Sequence, residues 1–142
     1  MSRSMTRDEW RAFVSDGTRT GKLATVRHDG RPHVVPIWFV LDGDDLVFTT
    51  GARSVKAKAM RRDARVCVCV DDERAPYAFV MIDGTVSVSE DPDLLLRFAT
   101  AIGGRYMGAD RAEEFGRRNA ALDELLVRVT PTRVLAEDDI TG

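Results

Sequence analysis

Cysteine and histidine are scarce in this chain of 142 residues, with two of each. Cys67 and Cys69 stand at i and i+2 in an apolar run, so they share one face of an extended segment, where disulfide geometry does not fit. They read as core residues. Two cysteines cannot complete a structural zinc site, and His28 and His33 are not spaced to help them. The chain also lacks a Gly-x-Ser-x-Gly elbow and a His-Glu-x-x-His pair, so a hydrolase of either kind is hard to build from it. The acidic pairs Asp44-Asp45 and Asp138-Asp139 read as a turn and a solvated tail. No Gly-x-Gly-x-x-Gly follows a strand, which argues against a dinucleotide-binding parallel sheet. No apolar run reaches membrane-spanning length. Met1 to Trp10 is polar and charged, unlike a signal peptide, and a cytosolic protein is expected. Repeats, low-complexity segments and linkers are missing too, so residues 1–142 read as a single domain.

The charge balance excludes a further class. A net charge of −2 leaves no basic footprint for wholesale nucleic-acid binding. Arginine nevertheless far outnumbers lysine, and many arginines fall in the middle of the chain, which leaves room for local anion sites.

Hydrophobic periodicity and turn residues supply the architecture. Thr6 and Glu9 have capping-box spacing ahead of a short helix over Arg7–Ser15, with Trp10, Phe13 and Val14 on one side. Strand patterns follow at Lys22–His28, His33–Leu41 and Leu46–Thr50. They are separated by the turns Asp29-Gly30 and Asp42-Gly43-Asp44-Asp45, and so form a meander. Ser54 is a natural N-cap for a helix to Arg61, ended by Asp63. Arg65–Val70 and Tyr77–Ser89 are strands, the second interrupted at Asp83-Gly84 by a turn or bulge. Pro92–Ile102 is helical, with Gly103-Gly104 expected to stop it, and Ala109–Leu122 is polar and helical. Leu125–Val134 is a last strand, with Pro131 near its edge. Most of the connections are too short for parallel crossovers. The expected fold is mainly β (α+β): a six-stranded antiparallel split β-barrel with flanking short helices.

Two segments carry candidate chemistry. In the first, Thr49 and Thr50 end a strand with two hydroxyls, Gly51 permits close backbone approach, and Ser54 opens a helix whose free N–H groups favour an anion. Arg53, Lys56 and Lys58 add positive charge. A phosphate suits this set, and so does an ordinary strand-to-helix connection with a solvated basic helix. The second is His33-Val34-Val35-Pro36-Ile37-Trp38, apolar on both faces and hence buried on both sides or lining a cavity. Pro36 cannot donate to a central ladder, so it marks an edge, a bulge or a strand that faces a ligand. A flat ring lying along the strand and a bulged core strand are the two readings. Arg105-Tyr106-Met107-Gly108 is a loop or a cover for a substrate.

The ordered set resembles the pyridoxamine 5'-phosphate oxidase-like split-barrel family, and within it the flavin/deazaflavin oxidoreductases of actinobacteria, many of which use coenzyme F420. The matching text is Gly21-Lys22-Leu23-Ala24-Thr25-Val26, Asp29-Gly30-Arg31-Pro32-His33-Val34-Val35-Pro36, Trp38-Phe39, Thr49-Thr50 and Ser54-x-Lys56. It continues with Met60-Arg61-Arg62-Asp63-x-Arg65-Val66, Gly84-Thr85-Val86 and Arg128 to Val134. The resemblance implies that Thr49, Thr50, Ser54 and Lys56 hold a cofactor phosphate and ribityl-type chain, while Val34, Val35, Pro36 and Ile37 line the tricyclic ring through backbone groups. It implies a homodimer with the cofactor at the interface, where Tyr77 reaches the partner's pocket. Ala59 stands where many relatives have Asn, so one polar contact near the phosphate is missing, and Lys58 is the residue placed to compensate. The implied activity is hydride transfer from reduced F420 to an unsaturated small molecule, with no dedicated acid–base pair. An FMN enzyme related to pyridoxamine phosphate oxidase is the alternative, although the chain has no long segment after the last strand. A split barrel that binds flavin or haem without turnover is a third reading, with His28 or His33 as haem ligand.

Overall fold

In the computed structural model, which describes residues 2–121 and 123–141, the elements are β1 (Arg3–Ser4), α1 (Arg7–Ser15), β2 (Gly21–Val26), β3 (Pro32–Ile37), β4 (Val40–Asp42), β5 (Asp45–Gly51), α2 (Val55–Arg62), β6 (Arg65–Asp72), β7 (Ala78–Ser89), α3 (Pro92–Met107), a 3-10 turn at Ala109–Arg111, α4 (Ala112–Asn119) and β8 (Glu124–Asp138). All strand pairs are antiparallel, and the strands lie side by side in the order β3-β2-β6-β7-β8-β5-β4, with β1 paired to the end of β8. The expected α+β split barrel is observed with eight strands instead of six. The difference comes from the two-residue β1 and from a break in the segment His33–Leu41.

That break shapes the molecule. Trp38 and Phe39 separate β3 from β4, and these two strands are the opposite ends of the sheet. Two linking residues span no more than about 11 Å from Ile37 to Val40. The sheet must therefore curl until its first and last strands meet, and the seam of the barrel is the Trp38–Phe39 kink. Phe39 is fully buried there. Leu23, Leu46, Phe48, Val66, Val68, Val70, Val80, Ile82, Val127 and Val129 fill the interior with it, and Trp10 and Val14 of α1 close one end. The expected capping box starts that helix: Thr6 Oγ1 accepts from Glu9 N–H at 3.2 Å, and Glu9 Oε1 accepts from Thr6 N–H at 3.0 Å.

β5 has buried residues on both faces because both are covered. Leu46 and Phe48 face the barrel, while Val47 packs with Leu126 beneath Leu95 and Phe98 of α3. Gly103 and Gly104 do not stop that helix, which runs on to Met107 and ends at Gly108, φ 102°. They are contact points. A Cβ at Gly103 would lie 2.7 Å from Phe115 Cβ, so α4 can approach α3 this closely only over that glycine, whereas one at Gly104 would make an ordinary 3.4 Å contact with Ala112 Cβ. The helical segment expected from Ala109 divides into the 3-10 turn and α4, and Leu122 lies outside the described residues.

Smaller departures have local causes. Tyr77 has φ 60° and stays outside β7. The interruption at Asp83-Gly84 is a register shift opposite Thr132, next to Pro131. β8 leaves β5 after Val129, so Pro131 occupies a stretch paired only to β7. Cys67 and Cys69 are not core residues: Val66, Val68 and Val70 take the interior positions and leave both thiols free and half-buried on the outer face. Val34 is 67% exposed, so the expectation of cover on both faces of its strand fails within one chain. Asp138 is no loose tail residue, since it pairs with Arg3 at 2.9 Å.

The seam is clamped by Arg105, half-buried near the end of α3. Its guanidinium donates to the carbonyls of Phe39 and Val14 at 2.7 Å and of Gly17 at 2.9 Å, and lies over the Phe39 ring at 4.6 Å. The Tyr106 hydroxyl donates to Arg19 O at 2.8 Å and accepts from Phe39 N–H at 3.3 Å. Replacing Arg105 by Ala strands these carbonyls. It should lower unfolding free energy by about 2–4 kcal/mol, read from the urea midpoint at unchanged slope.

Candidate functional site

Beside the seam lies a cleft of about 540 Å³. One wall is the end of β3 and the kink: Pro36, Ile37 and Trp38. The floor is the end of β5, with Thr49, Thr50 and Gly51; Lys56 comes from α2, Ile102 from α3, Phe115, Arg118 and Asn119 from α4, and Glu124 from β8. Both segments singled out in the sequence thus meet in one space, because β5 and β3 sit on either side of the seam.

The helix start is built as its residues require. Ser54 Oγ accepts from Ala57 N–H at 3.1 Å and shares a 3.0 Å hydrogen bond with Thr50 Oγ1, in which either can donate. Ser54 therefore fixes the buried Thr50 hydroxyl to the first turn of α2. Gly51 leaves open space: a Cβ there would meet nothing nearer than Glu124 Oε1 at 4.0 Å. Lys56 and Arg118 are the two cations of the cleft, and among the described residues neither enters an ion pair. Other cations on the same helices do, Arg61 of α2 with Glu90 and Arg117 of α4 with Glu113. Unpaired cations, hydroxyls, first-turn amides and a missing side chain at one place fit an anionic group such as a phosphate. Burial raises the Glu124 carboxyl above the ordinary glutamate range, and Lys56 offsets part of that shift.

Not every expected residue reaches the cleft. Pro36, Ile37, Thr49, Thr50 and Lys56 line it, and Ser54 supports it through Thr50. Val34 points outward from β3. Val35 is half-buried, as is His33, whose Nδ1 is buried without a described partner. Lys58 is exposed on α2 outside the lining, and Ala59 is buried. Tyr77 lines a different cavity with Pro76, Phe13 and Met5. Among residues to which the sequence assigned no role, Trp38, the end of the second candidate segment, is held by its stack on Tyr106, centroids 5.0 Å apart and rings 2° from parallel. Phe115, Arg118 and Asn119 share one face of α4 at i, i+3, i+4, a pattern legible in the sequence but unattached to any partner there. Glu124 had no signal at all. Arg105-Tyr106 is the last turn of a helix and not a loop, and its side chains grip the kink.

The comparisons with known proteins agree with this architecture. The family model described as Pyridoxamine 5'-phosphate oxidase matches residues 6–137. The chain belongs to that family. Among solved structures, the conserved hypothetical protein Rv2991 from Mycobacterium tuberculosis superposes with a TM-score of 0.84 at 28% identity, over 96% of this chain and 86% of that one. A protein described as an F420 reductase gives 0.69 at 29% identity, over 87% and 94%. The haem storage protein HutZ from Vibrio cholerae gives 0.72 at 19% identity, over 92% and 94%, a likeness of fold alone. No helix among the described residues is long and apolar enough to cross a membrane.

The two thiols lie away from the cleft and are poorly suited to attack. Burial and the neighbouring Asp83 carboxylate push Cys67 up to about 11, and burial also raises Cys69. At pH 8 only about one thousandth of Cys67 is thiolate. Both cysteines should react with iodoacetamide at pH 8 more slowly than free cysteine, Cys67 by about tenfold or more once the greater nucleophilicity of its thiolate is counted, with its rate still rising past pH 10.

Proposed function

We propose that this protein is an oxidoreductase that uses reduced coenzyme F420 to transfer a hydride to an unsaturated small-molecule substrate. The observation that carries the reading is the meeting of two unpaired cations, the Thr49 and Thr50 hydroxyls and an open Gly51 with the free edge of β3 in one cleft. Its volume suits a cofactor. The 29% identity to a protein described as an F420 reductase favours the deazaflavin over FMN.

The bound coenzyme supplies the hydride; the protein supplies binding, orientation and exclusion of water. Lys56 and Arg118 would hold the phosphate by charge, while Thr49, Thr50 and the first turn of α2 would donate hydrogen bonds to it. Ser54 orients Thr50 and caps the helix. β3 is an edge strand, so alternate backbone groups of His33, Val34, Val35, Pro36 and Ile37 point away from β2 and are available to a ring laid along them. Pro36 leaves that edge one donor short, which favours a ring presenting its own donor there. Trp38 and Phe115 cover the apolar side of the cleft.

The same reading makes the protein a cytosolic homodimer. Val34 and Val26, 67% and 45% exposed, offer apolar surface at the β2–β3 end to a second copy. Tyr77 would then serve the partner's cleft, and Lys58 would act as a peripheral charge. Light scattering should give twice the chain mass; a monomer overturns the dimer.

Fluorescence titration of F420 and FMN side by side tests the cofactor. F420 should bind more tightly, and purified protein should be colourless. Lys56→Ala should weaken F420 binding by about 1.5–3 kcal/mol. Unchanged affinity removes Lys56 from the phosphate site.

A further inference from the structure

Glu124 is out of place in a phosphate cradle. It is the first residue of β8, held opposite Gly51 by strand pairing, and its Oε1 lies 4.0 Å from where a Gly51 Cβ would stand. It lines the cleft that holds Lys56 and Arg118, and on its other side it borders a second cavity with Glu90 and Asp123. The backbone on either side leaves it little freedom to leave. Thr50 and Leu125 pair next to it in the same ladder, and Ala52 N–H donates to Asp123 O at 2.7 Å. An anion seated over Gly51 therefore lies beside a carboxylate, in a cleft that also holds two cations.

Charge decides what such a cradle accepts. Lys56 and Arg118 bring two positive charges and ionised Glu124 removes one, leaving a net of about one. A phosphodiester carries a single negative charge at neutral pH, whereas a terminal phosphate carries about 1.5–2 because its second ionisation lies near pH 6. Resting on the cofactor reading above, we infer that Glu124 is a specificity-determining residue that matches this cleft to a singly charged phosphodiester and disfavours a doubly charged terminal phosphate. Ligands with a deazaflavin or flavin ring whose phosphate is esterified at both ends belong to the accepted class, and FMN to the disfavoured one. Because burial raises the Glu124 carboxyl and a bound anion raises it further, binding takes up protons. The discrimination is thus strongest at high pH and relaxes as pH falls through the range in which Glu124 protonates.

Three probes with one ring separate the charge from everything else: riboflavin, the monomethyl phosphate ester of riboflavin, and FMN. Their dissociation constants are measured by flavin fluorescence at pH 6 and pH 8 for the wild type, Glu124→Gln and, as a second variant of different shape, Glu124→Ala. At pH 8 both variants should bind FMN roughly tenfold and the methyl ester roughly threefold more tightly than the wild type, with riboflavin unchanged, as expected of about threefold per unit ligand charge across a part-solvated cleft. For FMN the gain should shrink at pH 6, where its phosphate carries less charge. The variant-to-wild-type ratio is the readout, and the monomethyl ester, whose single charge is the same at pH 6 and pH 8, is its reference. Equal gains for all three probes, or none for FMN, overturn the inference and leave the cofactor reading standing. If neither the three flavins nor F420 binds any of the proteins, the cofactor reading falls, and the inference with it.

Discussion

One guanidinium holds the barrel shut. The sheet has its first and last strands joined by two residues, so its closure depends on keeping the Trp38–Phe39 kink in place. Arg105 does so by donating to carbonyls on both sides of the seam, from Phe39 and from the α1–β2 connection, while its flat face covers the Phe39 ring. A lysine could supply the charge but not the fork that reaches three carbonyls at once. Burial disfavours the charged form of Arg105, yet the carbonyl dipoles around it compensate, and an arginine stays ionised at any pH the fold tolerates.

The cleft depends on the same clamp. Tyr106 follows Arg105 in the chain and stacks on Trp38, the residue at the lip of the cleft. Closing the barrel and placing the aromatic wall are thus one event, brought about by consecutive residues in the last turn of α3. On the opposite wall, Ser54 does two jobs: it caps α2 and fixes the buried Thr50 hydroxyl. Neither wall relies on a flexible loop, so the site is largely formed before any ligand arrives.

Much of this was legible in the sequence. Strand alternation, the Asp-Gly turn, the Thr6–Glu9 box and the Ser54 cap are local signals, and the structure realises them, apart from the break at Trp38–Phe39 and a last strand that runs four residues past Val134. Pro36 correctly marked an edge strand. The failures share a physical cause: they involve contacts between distant segments. Gly103-Gly104 reads as a helix stop because the α4 residue that requires a small residue at Gly103, Phe115, lies in another element. Cys67 and Cys69 read as core because an apolar run does not say which of its faces is inside. Thr49, Thr50 and Lys56 were found because one helix start gathers them, whereas Arg118 and Glu124 belong to elements that meet the cleft only after folding.

The barrel itself does not decide the chemistry. A haem storage protein shares this fold at 19% identity, so the selective parts must be what is set into the cleft. Three of those parts, Phe115, Arg118 and Asn119, ride on α4, which touches α3 through glycines at Gly103 and Gly116. A side chain at Gly116 would overlap Thr100, and one at Gly103 would press on Phe115. Pushing α4 outward removes an aromatic, a cation and an amide from the cleft together while leaving every strand pair intact. α4 is therefore a module separable from the barrel: strands β5 and β3 provide the place, and the closeness of α4 provides half of its positive charge.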